Sequence, residues 1–160
     1  MRIYFFRHAL AEDNAGGKLL DSDRQLTSRG VARTEQAARF LEALGVRPGV
    51  LYTSPLVRAR QTADILGRRL RLTVQETPEL APGFNADALE RLVHGMGEGD
   101  EVMVVGHEPD FSSTIMALTG LGRVVVKKGG LARVDITAAD PLRGSLVWLL
   151  TPKIMDLQVK

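Results

Sequence analysis

The chain has 160 residues, 44% hydrophobic and 25% charged, which is ordinary for one globular domain. Its net charge of +2 comes without a run of lysine and arginine interleaved with aromatics, so a nucleic-acid surface is excluded and a small anionic ligand is favoured. The absence of cysteine excludes disulfides and thiolate chemistry. No apolar stretch could span a bilayer and the first residues do not resemble a secretion signal, so we expect a cytoplasmic protein with no membrane partner.

Short apolar runs alternate with helical patterns along the chain. Six β-rich segments are predicted as strands, at residues 2–6, 49–52, 101–105, 124–127, 131–136 and 145–150. Apolar residues at consecutive positions indicate strands that are covered on both faces. The last three strands follow one another without helices, which predicts some antiparallel pairing in the second half of the sheet.

Four amphipathic helices are predicted between or after these strands. Their expected limits are Thr27 to Gly45, Ser54 to Leu70, Asn85 to Met96, and Asp110 to Gly120, with Ser54 as N-cap and Pro55 at the first helical position of the second helix. Strands that alternate with helices predict an α/β fold. We expect a three-layer α/β/α sandwich with a mostly parallel, mixed sheet.

Polar side chains able to do chemistry follow three of the predicted strands. Arg7 and His8 follow the first strand, Arg58 lies early in the helix after the second, and His107 follows the run VMVVG. Because ligands bind at the carboxyl ends of parallel strands, we expect these side chains to lie together. A cation in the first helical turn opposes the helix dipole unless an anion binds there, so phosphate is the natural candidate.

Each of these residues also has a structural explanation when taken alone. An Arg-His pair at a strand end is more often a surface pair, and Arg58 could be a solvated helix residue that pairs with a carboxylate. Only their coincidence at one edge favours a site. Two histidines could serve a metal, but zinc catalysis needs about three protein ligands and two arginines would repel a cation, so no metal or other cofactor is expected. Ser54 is interpreted as a cap and not as a nucleophile.

Three motifs resemble, in order and spacing, those of the histidine phosphatase superfamily, which has the phosphoglycerate-mutase-like fold. They are FFRHA at 5–9, TSPLVRARQTA at 53–63 and VVGHEPD at 104–110. The short length and the strings RHALAED, DSDRQLTSRG and GHEPDFS resemble most the compact protein-phosphohistidine phosphatases. The sequence departs from the general signature at Ala9, where glycine is usual and alanine is the next smallest residue.

The resemblance implies a metal-independent phosphatase with His8 as nucleophile. It also implies that Arg7, Arg58 and His107 surround the phosphoryl group and that Arg24 is a further phosphate contact. Neutral imidazole would attack phosphorus in line, and water would then hydrolyse the phosphohistidine. The arginines disfavour a cationic His8 and stabilise charge on the transferred oxygens.

The sequence does not select one general acid for the leaving group or one substrate class. Glu79 in a covering loop and Glu108 beside His107 are candidate general acids. The interval 58–107 leaves little room for an inserted cap, so we expect a single domain over 1–160 with an open site. Such a site favours protein phosphohistidine, whose imidazole leaves readily. The alternatives are a small-molecule phosphomonoesterase acting on a sugar phosphate or nucleotide, and a non-catalytic phosphate-binding module.

Overall fold

The structure, a computed structural model, describes residues 1–14 and 16–157; residue 15 and residues 158–160, which belong to the expected domain, lie outside the described residues. The strands are β1 (Arg2–Arg7), β2 (Val50–Thr53), β3 (Val74–Glu76), β4 (Glu101–Gly106), β5 (Leu131–Ala139) and β6 (Leu142–Leu150). The helices are α1 (Ser28–Ala43), α2 (Val57–Leu70), α3 (Ala86–Leu92), α4 (Asp110–Thr119) and α5 (Pro152–Met155), with 3-10 turns at Asp21–Asp23 and Pro78–Leu80.

The described strands form one mixed sheet in the order β3-β2-β4-β1-β5-β6. The four strands from β3 to β1 are parallel, β5 is antiparallel to β1, and β6 is antiparallel to β5. This confirms the predicted α/β fold, the mixed sheet and the antiparallel pairing near the end of the chain. In the two described ranges, no helix is both long enough and apolar enough to cross a membrane.

The sheet separates two hydrophobic cores. Ile3 and Phe5 of β1 pack into the core formed with α3 and α4, whereas Tyr4 and Phe6 pack into the core formed with α1 and α2. Successive side chains of a strand point to opposite faces, so a central strand must be apolar at consecutive positions to fill both cores. The central strands are therefore fixed from both sides, and so are their carboxyl ends.

Three predicted helix limits are confirmed by their capping contacts. The Thr27 hydroxyl accepts from the Gly30 N–H at 3.0 Å at the start of α1, and the Asn85 amide oxygen accepts from the Ala88 N–H at 3.0 Å at the start of α3. Gly120 ends α4 in the left-handed conformation, with φ of 70°. The third helix is shorter than predicted: α3 ends at Leu92, whereas the predicted limit is Met96.

The predicted start of the second helix is wrong. Its first residue is Val57 and its N-cap is Leu56, so Ser54 and Pro55 precede the helix. The Ser54 N–H continues the ladder of β2 by donating to the Val105 carbonyl at 3.0 Å, which keeps this residue in an extended conformation. Ser54 thus belongs to the strand end.

The predicted strand at 124–127 is also wrong. Val124 and Val126 are buried and Val125 is exposed, which is the alternation expected of a strand. The alternation arises because both buried valines pack into the core on the α3 and α4 face, and the segment joins no ladder. The Val126 carbonyl accepts instead from Arg7 Nη1, at 3.0 Å.

Candidate active site

The candidate site lies where the carboxyl ends of β1, β4 and β2 meet. In the parallel register, Arg7 of β1 is opposite Gly106 of β4, and Thr53 of β2 is opposite Val105. The residues that immediately follow these strands are His8, His107 and Ser54. The sheet register therefore brings together side chains that lie far apart along the chain, such as Ser54 and His107, which are separated by 53 positions.

The His8 ring is buried, with 6% of the residue exposed, and both of its nitrogens have partners. Nδ1 lies 2.8 Å from the Ala9 carbonyl oxygen, and a carbonyl can only accept. The ring hydrogen is therefore on Nδ1 when the ring is neutral, and Nε2 holds the lone pair. The Nε–H of Arg58 donates to this Nε2 at 3.3 Å, as that protonation state requires.

Arg58 is the second residue of α2, and it too is buried, at 6% exposed. Besides its contact with His8, its Nη1 donates to the Asp21 backbone carbonyl at 2.7 Å and its Nη2 pairs with the Asp21 carboxylate at 3.0 Å. Arg24 Nη1 donates to the same carboxylate at 2.9 Å. Asp21 therefore links Arg24 to Arg58 at the edge of the site.

Arg7 and His107 complete the group of four. The rings of His107 and His8 are 5.3 Å apart between centroids, and His107 Nε2 lies 2.7 Å from the Ser54 hydroxyl oxygen. The other ring nitrogen, His107 Nδ1, and Arg7 Nε are both buried without a hydrogen-bond partner among the described residues. Two polar atoms of one site are thus left available to a ligand.

The site favours the neutral form of its two histidines. Burial lowers the pKa of His8 to about 3, reinforced by the nearby His107, Arg58 and Arg7, while the hydrogen bond to the Ala9 carbonyl opposes the shift. Burial followed by the charge of Arg58 lowers the pKa of His107 to about 4. Both imidazoles are therefore uncharged at neutral pH, and the positive potential comes from the guanidinium groups. Such a site can bind an oxyanion and present a nucleophilic nitrogen to it.

The two predicted acids have other partners. Glu79 is partly exposed and pairs with Arg91 at 2.7 Å, and this hydrogen bond lowers the pKa of its carboxyl. Glu108 accepts from the Ser112 N–H at 3.2 Å and from the Ser112 hydroxyl at 2.5 Å, so it supports the first turn of α4. The pairing with Arg91 therefore disfavours the protonated state that a general acid would need at Glu79, whereas the Glu108 carboxylate is engaged by Ser112.

Three residues near the site were not predicted to take part in it. Asp21 and Ser54 contact Arg58 and His107 as described, and Thr62 accepts from the Ala9 N–H at 3.2 Å while donating to the Arg58 carbonyl at 2.7 Å. Thr62 lies four residues after Arg58, hence on the same helix face, which was its only sequence signal. Among the described residues, no three histidine or acidic side chains lie close enough together to hold a metal ion.

Comparison with known proteins agrees with this geometry. The sequence model of the histidine phosphatase superfamily (branch 1) matches residues 3–82, which is half of the chain. The chain belongs to this superfamily. An uncharacterized protein of Picosynechococcus sp. is 40% identical over 121 residues, covering 74% of this chain and 73% of that protein.

A SixA sequence and a SixA structure are similar over nearly the whole length of this histidine phosphatase. The phosphohistidine phosphatase SixA of Escherichia coli (strain K12) is 26% identical over 156 residues, which cover 95% of this chain and 94% of that protein. The structure of the protein histidine phosphatase SixA complexed with tungstate has a TM-score of 0.84 and 25% identity, covering 96% of this chain and 98% of that one. These similarities identify the protein as a hydrolase of the phosphatase class.

Proposed function

We propose that the protein removes phosphate from protein phosphohistidine, with His8 as the nucleophile and Arg7, Arg58 and His107 as ligands of the transferred group. The observation that carries the proposal is the state of His8: its Nδ1 hydrogen is held by the Ala9 carbonyl, and its Nε2 lone pair faces Arg58. To attack, Nε2 gives up the 3.3 Å hydrogen bond from Arg58, and the released guanidinium N–H is then in reach of an oxygen on the attacked phosphorus.

The reaction has two steps. In the first, the substrate's phosphohistidine ring already carries a proton on its other nitrogen. His8 Nε2 forms a bond to phosphorus, the bond from phosphorus to the substrate's ring nitrogen breaks, and the imidazole leaves neutral with the proton it already carried. In the second, water attacks the phosphorus of phosphorylated His8, and the products are inorganic phosphate and neutral His8. Arg7 and Arg58 stabilise the charge on the phosphoryl oxygens in both steps.

The preference for phosphohistidine follows from the leaving group. An alkoxide needs a proton from a general acid, but the Glu79 and Glu108 carboxyls are engaged with Arg91 and Ser112. The leaving group of a phosphohistidine is a neutral imidazole, and its departure does not need such an acid. Access agrees with a protein substrate, since within the described residues the interval 71–100 holds only β3, one 3-10 turn and α3. We propose that the chain acts as one domain without an inserted cap.

Labelling the enzyme during turnover tests the proposal. A donor protein carrying ³²P-phosphohistidine is mixed with the phosphatase, and the reaction is quenched under alkaline conditions. We expect an acid-labile label on the enzyme that is absent from His8→Ala and retained in His94→Ala, because His94 is exposed on the surface beyond α3. A labelled His8→Ala protein would contradict the assignment of the nucleophile.

A second measurement separates the two substrate classes. The kcat/KM for a phosphohistidine protein is compared with that for sugar phosphates and nucleotides. Fast turnover of the small esters, with no activity on phosphohistidine, would make the protein a small-molecule phosphomonoesterase and would leave the phosphatase class unchanged. Binding of phosphate without any turnover would instead identify a phosphate-binding module.

A further inference from the structure

The Ser54 hydroxyl is the only polar side chain among the described residues that contacts the His107 ring by hydrogen bonding. Ser54 is fully buried at the end of β2, and its oxygen lies 2.7 Å from His107 Nε2. The same oxygen accepts from the Leu56 N–H at 3.2 Å, just before α2 begins. The serine therefore connects the histidine ring to the backbone that leads into the Arg58 helix.

The hydrogen bonds of Ser54 determine whether its hydroxyl or His107 Nε2 is the donor in the contact between them. A hydroxyl has one hydrogen and two lone pairs, and the Leu56 N–H uses one lone pair. If His107 Nε2 carried the ring hydrogen, the hydroxyl would accept twice and its own hydrogen would be buried without an acceptor. If the hydroxyl donates to Nε2, the serine hydroxyl and Nε2 are both satisfied, and only His107 Nδ1 lacks a partner among the described residues. This arrangement is favoured because a buried polar group without a partner is costly.

We propose that Ser54 is a positioning residue that holds His107 in the tautomer with its hydrogen on Nδ1. Because Nε2 is occupied by the serine, the N–H that His107 offers to the phosphoryl group is the one on Nδ1. This inference rests on the proposed function, in which His107 is a ligand of the transferred group.

The surroundings of the ring agree with this assignment. Nδ1 is buried and has no partner among the described residues, so a hydrogen there is free to be donated to an oxyanion. A lone pair at the same position would repel the phosphoryl oxygens. The tautomer matters because the ring is neutral: its pKa is lowered to about 4 by burial and by Arg58, so at neutral pH it has one hydrogen to place.

The first test observes the His107 ring of the wild-type protein directly. Two-bond ¹H–¹⁵N correlation spectra of the ¹⁵N-labelled protein at pH 7 distinguish a protonated ring nitrogen from one with a lone pair. The chain has three histidines, so the loss of one set of signals in His107→Gln assigns this ring. We expect protonated Nδ1 and unprotonated Nε2. The opposite tautomer, or a doubly protonated ring, would overturn the proposal.

The second test compares two neighbouring hydroxyls. Ser54→Ala removes the donor to His107, whereas Thr53→Val removes a buried hydroxyl that donates to the Ser54 carbonyl at 3.2 Å and does not contact the ring. We expect Ser54→Ala to put the ring hydrogen on Nε2 in part of the population. We also expect kcat to fall roughly 10-fold with little change in KM. This loss is smaller than the 10²–10³-fold loss typical when an oxyanion donor is removed. Thr53→Val should keep the wild-type tautomer.

The outcomes separate this proposal from the proposed function. An unchanged tautomer and an unchanged kcat in Ser54→Ala would overturn the role of the serine. If Ser54→Ala does not fold, the wild-type spectrum still decides the tautomer. Failure of His8 to be labelled would overturn the nucleophile assignment while leaving the His107 spectrum as predicted.

Discussion

The Asp21 carboxylate lies 3.0 Å from Nη2 of Arg58, on the guanidinium that also contacts His8. The Asp21 side chain is 61% exposed, whereas that of Arg58 is 7% exposed. An exposed anion thus occupies the outer side of a buried cation. In the function that we propose, an incoming phosphoryl group shares or replaces this contact.

Replacing Asp21 by asparagine should therefore strengthen the binding of inorganic phosphate. An exposed ion pair contributes up to about 1 kcal/mol, so we expect the inhibition constant of phosphate to fall about 2- to 5-fold. Asp23→Asn is the matched control, since it makes the same charge change in the same 3-10 turn, where Asp23 accepts from Ser22 and not from Arg58. Equal effects of the two substitutions would show that only net charge matters.

Replacing Arg58 by lysine should lower kcat by about 100-fold, which is within the range for removing one charge-stabilising donor. Lysine keeps the charge but has no equivalent of the Nε–H that reaches His8, and it cannot bind two oxygens in a plane. Arg60→Lys serves as the control, because Arg60 is an exposed residue of the same helix that pairs with Asp64 and Glu76. Its kcat should stay within about 2-fold of wild type, the scale of an exposed ion pair. A similar loss in both variants would contradict the specific role of Arg58.

Acid should destabilise the protein through its buried histidines. Their pKa values are lowered from 6.5 to about 3 for His8 and about 4 for His107, so below pH 6.5 the unfolded chain binds protons that the folded rings exclude. Their contribution to stability is present above pH 6.5 and is lost as pH falls, by up to about 1.4 kcal/mol per pH unit for each ring.

Urea unfolding at several pH values between 7 and 4 measures this loss. The pH dependence of the free energy of unfolding should be weaker in His8→Gln than in wild type, by close to one proton. His94→Gln, at an exposed position, should keep a steeper dependence than His8→Gln. Identical slopes in wild type and His8→Gln would contradict the lowered pKa of His8.

Glu79 should contribute little to phosphohistidine hydrolysis. Glu79→Gln removes a charge that pairs with Arg91, and the reaction we propose needs no proton from it, so kcat/KM for a phosphohistidine protein should change by less than about 2-fold, as is usual for an exposed ion pair. The same variant assayed on a sugar phosphate is the informative comparison. A selective collapse of ester hydrolysis would identify Glu79 as the acid of a phosphomonoesterase.

Gly106 should not tolerate a side chain. A Cβ at this position would lie 2.7 Å from Cζ of Phe111, whose ring packs edge-on against Phe5 with centroids 5.3 Å apart. Overpacking of a buried site typically costs about 1–3 kcal/mol, so Gly106→Ala should lower the free energy of unfolding by that amount. It should also lower kcat, because His107 is the next residue. Gly99→Ala, where a Cβ would meet nothing within 4 Å, is the control for the unfolding measurement.

The parts of the fold that could be predicted are those that a local sequence pattern determines. Consecutive apolar residues mark β1 and β4, because both faces of these strands are covered, and Thr27 and Asn85 mark helix starts through a local hydrogen bond. The three residues of β3 could not be predicted, since they are too few and too exposed to form a pattern. The segment 124–127 has a strand pattern but packs as an extended chain without a ladder.

The site was predictable to the same extent. His8, His107 and Arg58 follow strands, and the register of a parallel sheet brings such residues together. The contact of Asp21 with Arg58 depends on the path of the loop before α1, which no periodicity encodes. Ser54 has the sequence context of a helix cap, and only the pairing of β2 with β4 reveals that its hydroxyl faces a histidine.

The parallel pairing of β1, β4 and β2 also sets when the enzyme becomes competent as it folds. His8 and His107 become neighbours only after β1 and β4 pair, and Arg58 joins them only after β2 pairs with β4, so each contact closes a loop of about 50 residues or more. The recovery of catalysis during refolding therefore reports that the middle of the sheet is complete. A circular dichroism signal from helices that arises earlier comes from chains that are not yet active.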